Sequence, residues 1–237
     1  MPSRHMMRVK ETVLLWLLRR HRPAYARLNG LRGLEISSDT RFLDIHAELI
    51  RDNRGIQSLN ERYNLYRLAL ATERLPGAMA EAGVYRGGSA KLLCRIKGDC
   101  PLYLFDTFEG MPEVGAGADG VFRKGDFGDT CRDEVSAYLA EYPNIHIVKG
   151  LFPDSARGLE PERLVYRFVH LDLDIHESTL RALEFFYPRM ARGGVLVSHD
   201  YSRITAPGVR RAFDQFFGGR PETVIPLWQT QCAVVKM

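Results

Sequence analysis

Apolar and polar positions along this chain change period several times, and the changes mark out its elements. Between residues 62 and 75, Tyr63, Tyr66, Leu68 and Leu70 recur at roughly helical spacing, and Pro76-Gly77 ends the run. A regular alternation begins there. Residues 78–84, 102–106, 145–149, 168–173 and 195–198 form short apolar runs that predict strands. Residues 89–96, 132–141, 178–190 and 209–217 predict helices, the third with Leu180, Leu183, Phe186 and Met190 on one face. A glycine-rich loop fills 110–128, and residues 222–227 and 232–236 predict two closing strands. This order implies an α/β fold with a doubly wound, mainly parallel sheet, and the last pair suits an antiparallel edge.

The first 60 residues read differently. Helical patches such as Leu43-Ile45-Ile50 are interrupted by Gly30, Gly33 and Gly55. They predict an N-terminal helical extension over residues 1–60, ahead of a main domain over 61–237. Its expected roles are packing, homo-oligomerisation or covering the substrate. Within it, the apolar run Val13-Leu14-Leu15-Trp16-Leu17-Leu18 precedes Arg19-Arg20-His21-Arg22. That run is shorter than the ~20 residues a membrane span needs, and its basic flank does not suit a cleaved signal peptide. A helix packed on the protein body or in an interface is expected, with a helix on a membrane surface as the alternative.

Composition narrows the function classes. The chain has 237 residues, 45% of them hydrophobic, enough for one sizeable core. Its 33 basic and 29 acidic residues give a net charge of +4, too mild and too dispersed to suggest a nucleic-acid partner. Cys94, Cys100, Cys131 and Cys232 match no zinc spacing and no C-x-x-C pair, so reduced thiols in a cytoplasmic protein are expected.

Four motifs carry candidate chemistry, each at a predicted strand end, where open α/β sheets bind ligands. Glu81-Ala82-Gly83-Val84-Tyr85-Arg86-Gly87-Gly88-Ser89 makes a glycine turn into a helix. It lacks the G-x-G-x-x-G spacing of dinucleotide sites and fits a methionine-type ligand better, with Glu81 placed to receive an ammonium group. Asp106-Thr107-Phe108-Glu109-Gly110-Met111-Pro112 follows the second strand, and Asp106 lies where an acidic group accepts ribose hydroxyls, roughly 20 residues past the first glycine. In His170-Leu171-Asp172-Leu173-Asp174, strand alternation would put His170, Asp172 and Asp174 on one face. Asp174 or Ser178 could instead cap the next helix. Ser198-His199-Asp200-Tyr201 ends the following strand. Two carboxylates and an imidazole, from Asp172, Asp200 and His199, suit a hard or borderline divalent cation with positions open to substrate. The candidate cofactor-binding set is Glu81, Gly83, Tyr85, Gly87, Ser89, Asp106, Phe108 and Gly150. The candidate catalytic residues are Asp172 and His199.

Taken together, Tyr63 to Tyr66, Glu81 to Ser89, Asp106 to Pro112, Lys124 to Thr130, Leu171 to Tyr201 and Pro207 to Phe213 resemble the macrocin O-methyltransferase (TylF-type) family. Its members methylate sugar hydroxyls in natural-product pathways. The resemblance runs from about residue 60 to the C-terminus. It implies a class I methyltransferase fold, S-adenosylmethionine as methyl donor, a magnesium-type metal and a small-molecule acceptor such as a sugar. In that family the first aspartate of the D-x-D stretch and an Asp-Asp pair before a tyrosine hold the metal, and the first aspartate is the proposed base. Asp172 and Asp200 match. The third position is His199 instead of aspartate, which softens the site and brings manganese, zinc or metal-free general-base chemistry into play. The resemblance also casts the 110–128 loop as a lid. Two other classes remain in view: a nicotinamide-dependent oxidoreductase, and a non-catalytic binding module on the same fold.

Overall fold

The computed structural model describes residues 38–114, 119 and 121–237, with Val13, Trp16 and Ile36. The expectations for the rest of the N-terminal segment, most of the 13–18 run included, lie outside the described residues. Helix α1 (Thr40–Asp52) starts where the Asp39 side chain accepts the Phe42 amide at 2.9 Å. It ends at Asn53, in the left-handed region at φ 54°. Helix α2 (Leu59–Ala71) opens with a capping box: Ser58 accepts from the Glu61 amide, and Glu61 Oε2 accepts from the Ser58 amide at 2.9 Å.

The sheet is built from β1 (Ala78–Ala82), β2 (Leu102–Asp106), β3 (Ile145–Lys149), β4 (Tyr166–Leu171), β5 (Met190–Ser198), β6 (Ile225–Pro226) and β7 (Cys232–Val235). Its order is β3-β2-β1-β4-β5-β7-β6. Strands β1 to β5 pair in parallel, and β7 runs antiparallel to both β5 and β6. The expected doubly wound α/β fold with an antiparallel edge is therefore present. The strand expected over 222–227 is only two residues long; Pro226 has no amide hydrogen to extend the ladder. The chain winds outward from β1 to β3 and returns at β4, so the order reverses between β1 and β4. That reversal opens a crevice at the carboxyl ends of these two strands.

Helices cover both faces. Helices α5 (His176–Phe186) and α6 (Pro207–Phe217) pack Leu183, Phe186, Val209 and Phe213 against Ala80, Phe105, Val169 and Leu171. On the other face α1, α2, α3 (Gly88–Cys94) and α4 (Arg132–Tyr138) pack Phe42, Leu65, Leu92 and Val135 against Met79, Leu104, Phe168 and Val197. Helix α2 runs across the position where the extension was expected to end, and α1 shares its core. Helix α5 stops before the expected end because Pro188 follows; a 3-10 turn over Tyr187–Arg189 leads straight into β5. Among the described residues, no helix is long and apolar enough to cross a membrane. All four cysteines are free.

Candidate active site

At the end of β1 the chain turns through Gly83, at φ 89°. A Cβ there would lie 1.9 Å from the Asp172 carbonyl oxygen. Only glycine lets the β1 turn and the loop after β4 approach so closely. The Asp172 amide in turn donates to the Ala82 carbonyl at 2.8 Å. At the end of β2, Asp106 Oδ2 accepts the Val84 and Tyr85 amides at 2.7 and 2.8 Å, and Oδ1 accepts the Phe108 amide at 2.7 Å. This carboxylate holds both turns in place and keeps lone pairs for further donors. Gly150, after β3 at φ 137°, donates its amide to the Asp106 carbonyl at 2.9 Å.

One cleft collects most of the expected residues: Gly83, Tyr85, Ser89, Asp106, Gly150, Asp172, Asp174, His199 and Asp200 all line it. Three expected donor residues do not. Gly87 is the left-handed N-cap of α3, and Phe108 is buried at φ 52° beneath the β2 turn. Glu81 is fully buried, with Oε1 2.7 Å from His170 Nδ1. Strand alternation puts Glu81 beside Met79 on the face that α1, α2 and α3 cover, and Glu81 does not line the cleft itself. The shared face expected for His170, Asp172 and Asp174 does not form either. Strand β4 ends at Leu171, His170 faces Glu81, and Asp174 adopts a positive φ of 60° in the following loop. Nor does Asp174 or Ser178 cap α5, whose N-cap is Ile175 with no side-chain cap; the His176 amide donates to Asp119 Oδ1 at 2.6 Å.

The acidic end of the cleft is tightly knit. His199 Nδ1 lies 3.1 Å from Asp200 Oδ2 and 3.4 Å from Asp172 Oδ1. Arg203 Nη1 lies 3.1 Å from Asp200 Oδ1. Burial, the largest influence, together with Asp200 pushes the Asp172 carboxyl up to about 6, against the pull of His199. Burial and Asp200 raise Asp174 as well. Burial also opposes ionisation of Asp200, but His199, Asp174 and Arg203 outweigh it and hold the group below the usual carboxylate range. Burial disfavours the His199 cation, yet Asp172, Asp200 and Glu61 raise its pKa well above the ordinary value.

These residues fit a divalent cation. Ligand atoms of Asp172, His199 and Asp200 all lie within 4.8 Å of one another. The ring nitrogens of His199 are buried, face carboxylates and make no well-aligned hydrogen bond. Two oxygen donors and one imidazole nitrogen suit manganese or zinc as well as magnesium.

Sequence reasoning missed the contribution of the α1–α2 connection. Arg54, Gly55, Ile56, Gln57 and Arg62 line the cleft. A Cβ at Gly88 would lie 2.8 Å from Gly55 Cα, so two glycines let this connection cross the start of α3. Glu61 reaches His199 from the same region, its Oε1 3.3 Å from Nε2. The visible signal was Ser58-Leu59-Asn60-Glu61, a capping-box pattern that announces a helix start but not its neighbours. Opposite, Met111, Pro112, Asp126 and Phe127 of the glycine-rich loop line the cleft. The loop closes on itself through Met111 N to Asp126 O at 2.8 Å and Gly125 N to Met111 O at 3.0 Å.

Residues 55–224, spanning both halves of this cleft, match the Macrocin-O-methyltransferase (TylF) family. The chain belongs to that family. It is 32% identical over 163 residues to the 8-demethyl-8-(2,3-dimethoxy-alpha-L-rhamnosyl)-tetracenomycin-C 4'-O-methyltransferase of Streptomyces olivaceus, covering 62% of this chain and 61% of the relative. It is 27% identical over 159 residues to the demethyldecarbamoylnovobiocin O-methyltransferase of Streptomyces niveus, covering 60% and 58%. The matched region thus spans about three-fifths of each relative's length. Among solved structures, the O-methyltransferase NovP superposes with a TM-score of 0.68 at 20% identity, covering 78% of this chain and 82% of that one. A Bacillus cereus O-methyltransferase in complex with SAH superposes with a TM-score of 0.56 at 15% identity, covering 84% and 91%. Both share the fold.

Proposed function

We propose that this chain is an S-adenosylmethionine-dependent O-methyltransferase acting on a hydroxyl of a sugar or glycosylated small molecule, assisted by a divalent cation. The observation that carries the reading is the junction of two half-sites in one cleft. The Gly83 turn with Asp106 forms one half, Asp172, His199 and Asp200 form the other, and Gly83 touches the Asp172 backbone. Membership of the TylF family and two sugar-antibiotic O-methyltransferases among the relatives support the activity and the acceptor class.

In this reading Asp106 accepts the ribose hydroxyls of the donor, and the turn from Gly83 to Ser89 cradles its amino-acid portion. Asp172, Asp200 and His199 would hold the cation, which would supply Lewis-acid activation of the acceptor hydroxyl. Asp172 takes the hydroxyl proton as the oxygen attacks the methyl carbon. The new C–O bond forms as the C–S bond breaks, and the sulfonium becomes the neutral thioether of S-adenosylhomocysteine. Met111, Pro112 and Phe127 wall the cleft and exclude water from the transfer. Donor turnover to S-adenosylhomocysteine, measured across glycosylated acceptors with and without chelator, tests the proposal. Turnover with none of them, alongside clear binding of a nicotinamide dinucleotide, would favour the oxidoreductase alternative.

A further inference from the structure

His199 stands between two groups of carboxylates. Its Nδ1 faces Asp200 and Asp172 at 3.1 and 3.4 Å, and its Nε2 faces Glu61 Oε1 at 3.3 Å. Glu61 is only 5% exposed and His199 only 7%. Glu61 does not line the cleft, but it is firmly anchored beside it. Its Oε2 accepts the Ser58 amide and hydroxyl, both at 2.9 Å, and its Oε1 accepts the Thr230 hydroxyl at 2.7 Å. With three donors aimed at its two oxygens, Glu61 serves as an acceptor.

Carboxylate oxygens flank both ring nitrogens, but a cation shared with Asp172 and Asp200 would need the Nδ1 lone pair, which leaves the hydrogen for Nε2 and makes Glu61 its acceptor. We propose that Glu61 is a positioning residue that sets the tautomer of His199, keeping the hydrogen on Nε2 and turning the Nδ1 lone pair to the site of Asp172 and Asp200. The inference rests on the cation reading above. Glu61 Oε1 at 3.3 Å is within reach of Nε2, and a small ring adjustment on loading would give the arrangement in which a ligating histidine donates its second N–H to a carboxylate. It also accounts for how this chain tolerates an imidazole where the resemblance expects an aspartate. An aspartate at 199 needs no buried acceptor and would meet Glu61 as a like charge; a histidine needs the acceptor that Glu61 supplies.

The two cases give opposite signs for one substitution. Glu61→Gln keeps the capping box, because glutamine serves at that position as well as glutamate. Its amide NH2 would donate to Nε2 and drive the hydrogen to Nδ1. Manganese affinity is measured by calorimetry on the purified full chain, with thermal melting as the check on folding. Glu61→Gln should weaken binding about 10- to 100-fold, the usual cost of losing such a partner. In a His199→Asp background the same change should leave affinity unchanged or raise it. Wild-type affinity in Glu61→Gln, or an equal loss in both backgrounds, would overturn the inference. Absence of manganese, magnesium and zinc binding in the wild type would instead sink the cation reading. Nitrogen NMR of His199, recorded where the ring is neutral, then decides. A switch from the Nε2–H to the Nδ1–H tautomer in Glu61→Gln supports the role of Glu61, and identical spectra overturn it.

Discussion

Gly83 and Asp172 meet backbone to backbone: a Cβ on Gly83 would sit 1.9 Å from the Asp172 carbonyl oxygen. The turn at one end of the cleft therefore fixes the loop that carries the acid at the other. Gly83→Ala adds a strained positive φ, worth ~1–2 kcal/mol, to an overpacked contact worth ~1–3 kcal/mol. The variant should lose about 2–5 kcal/mol of stability in urea denaturation. It should also lose donor binding. A wild-type midpoint would contradict the contact.

The acidic cluster makes a second prediction. Activity should require a divalent cation and be abolished reversibly by chelator. Asp172→Asn should cost more turnover than His199→Asn, because Asp172 is both ligand and base in the proposed mechanism, whereas His199 is a ligand alone. Steady-state rates after chelation and repletion check this. Full activity in excess chelator would leave Asp172 or His199 as a simple general base.

Gly208 meets the glycine-rich loop at Asp119. A Cβ there would lie 2.0 Å from Asp119 Oδ1, the atom that accepts the His176 amide. Gly208→Ala should push Asp119 away and cost about 1–3 kcal/mol for the lost bond at α5. If the loop covers the acceptor, the acceptor KM should rise while donor affinity measured by calorimetry stays near wild type. A selective loss of donor affinity would place the loop's role elsewhere.

The acid limb of the stability curve tests how α1 is fastened to the body. Asp52 lies 2.8 Å from Lys91 Nζ and 2.5 Å from Tyr138 Oη. Burial raises its pKa, but Lys91 and Tyr138 pull harder, and the folded value lies below 3.8. A depressed folded pKa stabilises at pH values above the unfolded pKa and loses that contribution as pH falls through the folded one. Asp52→Asn should therefore cost about 1 kcal/mol at neutral pH. The difference should shrink as pH drops below about 4. A gap that does not depend on pH in chemical denaturation would refute the ionic account.

What the sequence disclosed follows from where the signals are local. Gly83, Asp106, Asp172 and Asp200 each sit beside an apolar strand run, and the rule that such sheets bind ligands at their carboxyl ends was enough to gather them. Glu81 was named from its adjacency to the glycine turn, which says nothing about which sheet face a strand residue takes; it shares the helix-covered face with Met79 and does not line the cleft. Asp174 escaped because β4 stops at Leu171, so alternation no longer governs it. Glu61 was invisible for another reason. Its meeting with His199 arises only when α2 packs beside the end of β5, and no pattern near either residue encodes that approach.

Calorimetric titration of the purified full chain with S-adenosylhomocysteine tests the central claim most directly. The account predicts binding by the wild type and a loss of ~1.5–3 kcal/mol in Asp106→Ala, the worth of hydrogen bonds to a charged group. Failure of the wild type to bind either S-adenosylhomocysteine or S-adenosylmethionine, with a nicotinamide dinucleotide binding in their place, would contradict it.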